Sequence, residues 1–177
     1  MSSVGFAEIN LGETYGRRAV PNAIQSHMPP TIRPAAPSDE TGWRALWHDY
    51  CAFYQVAVPP SVTAATWARI LDPASSINAL VAVSEDETGA LVGFAHYVSH
   101  PHTWSEKTLC YLEDLFVNPN ARGAGVGHAL IERLTTMGRE NDWGRVYWHT
   151  GTDNAPARRL YDRFTLADNA VKYTVFL

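Results

Sequence analysis

Apolar positions follow two periods along the chain, and each change of period marks an element. Trp43, Leu46, Trp47, Tyr50 and Tyr54 recur at steps of three and four, the spacing of one helix face. Ser38 or Thr41 stands where an N-cap belongs, and Pro59-Pro60 predicts the stop. A second helix is expected from Ser61 or Thr63, carrying Trp67 and Ile70-Leu71 and closing at Asp72-Pro73. Thr31-Ile32-Arg33, ahead of these helices, reads as a short first strand.

After Pro73 the pattern turns β-like. Ala79 to Val83 and Leu91 to Val98 read as a hairpin, with Glu85 to Gly89 as its turn. A loop with His100, Pro101, His102 and Trp104 is expected next. Leu109 to Val117 is the strongest strand candidate, and it runs into the turn signature Asn118-Pro119-Asn120. Val126, Leu130, Leu134 and Met137 then form a helical stripe that Gly144 ends. Arg145 to His149 predicts a strand, Asn154 to Phe164 a short helix, and Val171 to Phe176 a terminal strand. The order β, α, α, β, β, β, α, β, α, β implies an α/β fold with a sheet covered by helices.

Composition narrows the class. Hydrophobic residues make up 46 % of the 177 and charged residues 18 %, an ordinary globular balance. Residues 1–30, polar and rich in glycine and proline, read as an arm outside a single domain spanning 31–177. A net charge of −4 gives no basic footprint for nucleic acid. No run reaches the ~18 apolar residues of a membrane span. No apolar stretch follows Arg17-Arg18 to make a signal, so the cytoplasm is the expected location. Cys51 and Cys110, far apart in apolar contexts, read as reduced thiols.

The segment Arg122-Gly123-Ala124-Gly125-Val126-Gly127 lies between a predicted strand and a predicted helix. Its glycines let backbone approach a ligand closely. Unpaired N–H groups at a helix start, with the partial positive charge there, suit a diphosphate. Arg122 adds a charged donor. A dinucleotide fingerprint fails because His128 sits at the sixth position from Gly123, where glycine is needed. A P-loop fails for want of lysine.

The string YLEDLFVNPNARGAGVGHALIERL resembles the acetyl-coenzyme A signature of the GCN5-related N-acetyltransferase (GNAT) superfamily, and the resemblance covers about Thr31 to Leu177. It implies a mixed central sheet of about six to seven strands flanked by about four helices. It also implies that acetyl-coenzyme A is the co-substrate and a primary amine the acceptor. Leu115, Phe116 and Val117 would line the thioester end, and Arg122, Gly123, Ala124, Gly125, Val126, Gly127 and His128 would hold the phosphates. NAPARRLYDRF is similar to the family pattern in which Asn154, with Ala157 beside it, reaches the pantetheine and Tyr161 protonates the departing sulfur. The family often has glycine just after this helix; here Thr165 follows Phe164.

Aminolysis needs a base, because an alkylamine with a pKa near ~10.4 is mostly protonated at neutral pH. Glu113, inside an apolar strand, is the candidate base, acting through water. Strand alternation would point Asp114 to the opposite face unless a bulge intervenes. The Glu113-Asp114 pair resembles that of the diamine acetyltransferases, where it touches the amine.

Around the acceptor, Trp148 and His149 are candidate substrate contacts. Trp43, Trp47, Tyr50 and Tyr54 are either core or cavity wall. His100 and His102 lack further ligands at metal spacing, so no metal is expected. No Ser-His or Cys-His pair forces a covalent intermediate, so direct transfer is expected. The acceptor is read as a small amine, a polyamine or an amino-acid-like molecule. A protein lysine or N-terminus is the alternative, since the stretch YWHTGTDNAPARRLYDR also resembles the small yeast histone and polyamine acetyltransferase group. The resemblance further implies a homodimer. The rival class is a non-catalytic acyl-coenzyme A sensor, which would not need Glu113 and Tyr161.

Overall fold

The computed structural model describes residues 29–86 and 88–177. Residues 1–28 of the expected arm lie outside the described residues. Among those described, five strands form one sheet in chain order: β1 (Thr31–Pro34), β2 (Ile77–Val83), β3 (Leu91–His102), β4 (Ser105–Val117) and β5 (Arg145–Tyr147). The pairs β1–β2, β2–β3 and β3–β4 are antiparallel, and β5 joins β4 in parallel. Four helices cover the sheet: α1 (Glu40–Phe53), α2 (Pro60–Leu71), α3 (Val126–Glu140) and α4 (Ala155–Tyr161). The α/β class and mixed sheet match the reading from sequence, with five strands in place of six to seven.

Both sheet faces are buried, so strand residues of either parity are apolar. In β2, Leu80 and Ala82 face α3, where Val126, Leu130, Ile131 and Leu134 meet them. Ala79 and Val81 face the opposite way, against Trp43 and Leu46 of α1 and Trp67 and Ile70 of α2. Each large apolar side chain buried this way contributes roughly 1.5–3 kcal/mol. Trp43, fully buried, lies 4.8 Å from Trp67 and 5.9 Å from Trp47 between ring centroids. The N-terminal end of α1 is anchored by Asp39, which accepts from both guanidinium nitrogens of Arg33 at 2.6 and 2.8 Å and from the Ala36 amide at 2.8 Å.

Several boundaries differ from expectation. Helix α1 follows a 3₁₀ turn, Pro37–Asp39, so Ser38 lies before it and Thr41 within it; neither is the cap. It ends at Phe53, well before the prolines. Pro60 instead opens α2, where its missing N–H costs nothing. His100 and His102 are strand residues, because β3 and β4 form a longer hairpin than apolarity suggested. A register irregularity between His100 and His102 spans Pro101, which cannot donate to the ladder. Strand β5 ends at Tyr147, two residues early. Residues 171–176 form no strand: alternation supplies propensity, but a strand also needs an edge to pair with. Val171, Tyr173, Val175 and Phe176 are instead exposed.

The feature that shapes the site is a bulge in β4. His96 pairs with Asp114 and Tyr97 with Leu112, which leaves Glu113 as the extra residue. Leu112 and Leu115, three apart, consequently share the α3 face. Asp114 and Phe116 share the α1 face. Simple alternation from Leu112 through Asp114 therefore does not hold.

Candidate active site

Beyond the bulge, β4 ends in a turn fixed by Asn118, whose side chain accepts from the Asn120 amide at 3.0 Å. The glycine segment follows. Gly123 and Gly125 have φ of +84° and +80°, left-handed values that a side chain would strain. Gly125 is the N-cap of α3, and no side chain caps that helix. The first bond into it runs from the Ala129 amide to the Gly125 carbonyl at 2.9 Å. The amides of Val126, Gly127 and His128 thus precede the hydrogen-bonded part of α3 and lie at its positive end. Gly127 admits Leu160 of α4, whose Cδ2 would lie 3.0 Å from an added Cβ.

A cleft of about 600 Å³ opens here, a size typical of small-molecule sites. Leu115, Phe116 and Val117 line it together with Arg122, Gly123, Gly125, Val126, Gly127 and His128. Helix α4 contributes Ala157, Arg159, Leu160 and Tyr161, with Asn154 ahead of it and Arg163 after it. Helix α1 contributes Tyr50 and Phe53, with Tyr54 at its C-cap. Among the described residues, no carboxylate is in the lining. Guanidinium groups and free helix-start amides beside an apolar floor fit a ligand that joins a diphosphate to a long neutral arm. Ala124 is not in the lining and packs toward the α3 core.

Asn154 both lines the cleft and caps α4, accepting from the Ala157 amide at 3.3 Å. Tyr161 packs against Trp148, with ring centroids 5.3 Å apart. Burial, with Tyr54 nearby, pushes its phenol up to about 12. Arg122 bends back, its Nε donating to the Val117 carbonyl at 3.3 Å.

The other predicted residues lie apart from this lining. Glu113 is exposed at the bulge. Its carboxyl is raised, first by partial burial and then by the Asp114 charge, against an opposing pull from Lys172. Asp114 accepts from the Tyr50 hydroxyl at 2.5 Å, and its other oxygen lies 2.9 Å from Nδ1 of His96. His149 faces Tyr111, with Nδ1 3.2 Å from the hydroxyl. Trp148 borders a second cavity of about 310 Å³ with Arg139, Trp143 and Phe164. His100 and His102 are separately engaged, His100 with the Tyr147 hydroxyl at 2.9 Å and His102 with the Trp104 amide at 3.1 Å. Among the described residues, no three His, Cys, Asp or Glu side chains group as metal ligands.

The aromatic stripe of α1 divides between the two roles left open from sequence. Trp43 is core and Trp47 packs against it, while Tyr50 and Tyr54 wall the cleft. Sequence reasoning missed His96, Arg159 and Arg163. A histidine inside the apolar run Phe94-Ala95-His96-Tyr97 was the available signal, since a buried polar group requires a partner. The arginines carried no signal beyond their place in a short helix.

Comparison with known proteins agrees with this geometry. The family described as Acetyltransferase (GNAT) family matches residues 43–165. The D-amino-acid N-acetyltransferase HPA3 of Saccharomyces cerevisiae is 35 % identical over 142 residues, covering 80 % of this chain and 88 % of that protein. The crystal structure of a probable acetyltransferase superposes with a TM-score of 0.74 at 23 % identity, covering 83 % of this chain and 97 % of that one. The structure of AAC(6')-Iy in complex with a bisubstrate analog, CoA-S-monomethyl-acetylneamine, has a TM-score of 0.70 at 20 % identity, covering 84 % and 99 %. No helix among the described residues is long and apolar enough to cross a membrane. The fold, the strand–glycine loop–helix cleft and these matches together make the chain a member of the GNAT acetyltransferase family.

Proposed function

We propose that the protein is an N-acetyltransferase that moves the acetyl group of acetyl-coenzyme A directly onto the primary amine of a small polyamine or amino-acid-like molecule. The observation that carries this reading is the uncapped start of α3, where the amides of Val126 to His128 follow two left-handed glycines at the mouth of an apolar cleft. When bound, acetyl-coenzyme A supplies an activated acyl group and a thiol leaving group.

The chain's own groups do the rest. The loop amides with Arg122, Arg159 and Arg163 hold the phosphates, and Leu115 to Val117 with Asn154 and Ala157 hold the arm. Glu113, its carboxyl raised by partial burial and by Asp114, accepts a proton from the ammonium through water. Tyr161, in the cleft lining, would be the donor to the thioester sulfur. Its phenol, pushed up to about 12 by burial, stays protonated at neutral pH and is available as a donor. Tyr161 would donate to the departing sulfur as it leaves. His149 and Tyr111, close to each other ahead of the bulge in β4, away from the glycine loop, are read as the acceptor side.

The amino-acid part of the acceptor range is supported by the yeast relative, whose name gives D-amino acids as substrates. A homodimer is supported by the exposed apolar side chains over 171–177 and is checked by molar mass in solution. A cytoplasmic location is supported by the free thiols of Cys51 and Cys110. Thiol release from acetyl-coenzyme A, measured across amino acids of both configurations, polyamines and lysine peptides, tests the reading. Amine-dependent release is the expected result. Release with none of them, from a chain that binds coenzyme A, would contradict it.

A further inference from the structure

We propose that Tyr50 is a specificity-determining residue which, together with Trp43 and His96, keeps Asp114 out of contact with the acceptor, so that the site takes an amine with one positive charge in preference to a polyamine. This rests on the acetyl-transfer reading above and narrows its acceptor.

Three hydrogen bonds carry the inference. The indole Nε1–H of Trp43 lies 2.8 Å from Nε2 of His96. Indole only donates, so Nε2 accepts and the histidine carries its hydrogen on Nδ1. Nδ1 then donates to one oxygen of Asp114 at 2.9 Å. The Tyr50 hydroxyl donates to the other at 2.5 Å. Trp43 is fully buried, His96 is 3 % exposed, and the Asp114 side chain only 18 %. Burial and the adjacent carboxylate push the Tyr50 phenol upward, so the hydroxyl remains a donor throughout the working pH range.

Each oxygen of Asp114 thus holds an internal donor, although the carboxylate sits beside Glu113 in sequence. Glu113 is the exposed member of the pair. Among the described residues, the cleft lining supplies no carboxylate of its own. A polyamine that pairs one ammonium with Glu113 would have to displace the Tyr50 hydroxyl or the His96 N–H to bring a second ammonium onto Asp114. A monoamine meets no such cost. Because Tyr50 itself lines the cleft, removing its hydroxyl opens an oxygen of Asp114 on the cleft side.

The test compares n-butylamine with 1,4-diaminobutane, matched in length and different in one charge. In Tyr50→Phe, the ratio of kcat/KM for diamine over monoamine rises by at least about threefold relative to the unsubstituted enzyme. In Tyr50→Phe/Asp114→Asn that rise disappears. For an amine that is not turned over, its inhibition constant against thiol release with the best acceptor gives the same ratio. A ratio that stays level or falls in Tyr50→Phe, or a rise that survives in the double variant, overturns the inference. Coenzyme A titration of each variant separates the two levels. A chain that fails to bind coenzyme A contradicts the acetyl-transfer reading itself, whereas one that binds it with an unmoved ratio contradicts only the role of Tyr50.

Discussion

The indole nitrogen of Trp43 donates to Nε2 of His96 across 2.8 Å, joining α1 to the centre of the sheet through two side chains that water does not reach. A buried donor left without an acceptor costs about 1–3 kcal/mol. His96→Leu strands the Trp43 N–H and also takes a donor from Asp114. His96→Gln offers an amide oxygen close to where Nε2 lies. Urea unfolding is expected to show His96→Gln more stable than His96→Leu by about 1–3 kcal/mol. Equal stability would mean that the indole bond contributes little.

The Asp39–Arg33 pair makes stability depend on acid. Hydrogen bonds from Arg33 hold the Asp39 carboxyl below its ordinary range, outweighing burial, which acts the other way. A depressed folded-state value means the contribution is complete above the unfolded value of about 3.9. It is lost as pH falls through the lower folded one. Asp39→Asn is therefore expected to lower the urea midpoint at pH 7, with the gap to the unsubstituted protein closing below about pH 4. A gap that stays constant down to pH 2 contradicts this account of α1's anchor.

Tyr161 is expected to matter for turnover and not for binding. Tyr161→Phe keeps coenzyme A affinity within about twofold and lowers kcat at least about tenfold, ~1.4 kcal/mol in the barrier. Because the phenol ionises only near 12, rate profiles up to pH 10 should show no fall caused by Tyr161 itself. Unchanged turnover in the variant removes Tyr161 from the mechanism.

Glu113 should set the acidic side of the profile. Burial and Asp114 raise its carboxyl, Lys172 opposes them, and Tyr111 stands close by. A base must be deprotonated to act, so kcat/KM should fall on acidification at a pH above the ordinary carboxylate range. Glu113→Gln is expected to lose most rate above that limb, where Glu113 is ionised and the amine is still mostly protonated, and to converge with the unsubstituted enzyme below it. Asp114→Asn removes a charge that raises Glu113, so it should move the acidic limb to lower pH. An acidic limb identical in all three proteins contradicts the base role.

Much of this architecture was legible before any coordinates. The steps of four, four and three through Val126, Leu130, Leu134 and Met137 specify α3, and three alternating glycines between strand and helix specify the loop. What was hidden depends on pairing. The extra residue at Glu113 exists only relative to the register of β3, and a single strand cannot display it. The bonds among Tyr50, His96 and Asp114 join positions as much as 64 residues apart, so no local spacing encodes them. The same limit explains residues 171–176, whose alternation is real but whose ladder partner is missing from the described residues.

The central claim, that the amides at the start of α3 grip the diphosphate, is tested most directly by amide NMR during titration with coenzyme A. Large, saturable shifts are predicted for Gly123, Gly125, Val126, Gly127 and His128, with little change at Trp143 beside the second cavity. Saturable binding that leaves those five amides unmoved would contradict the account.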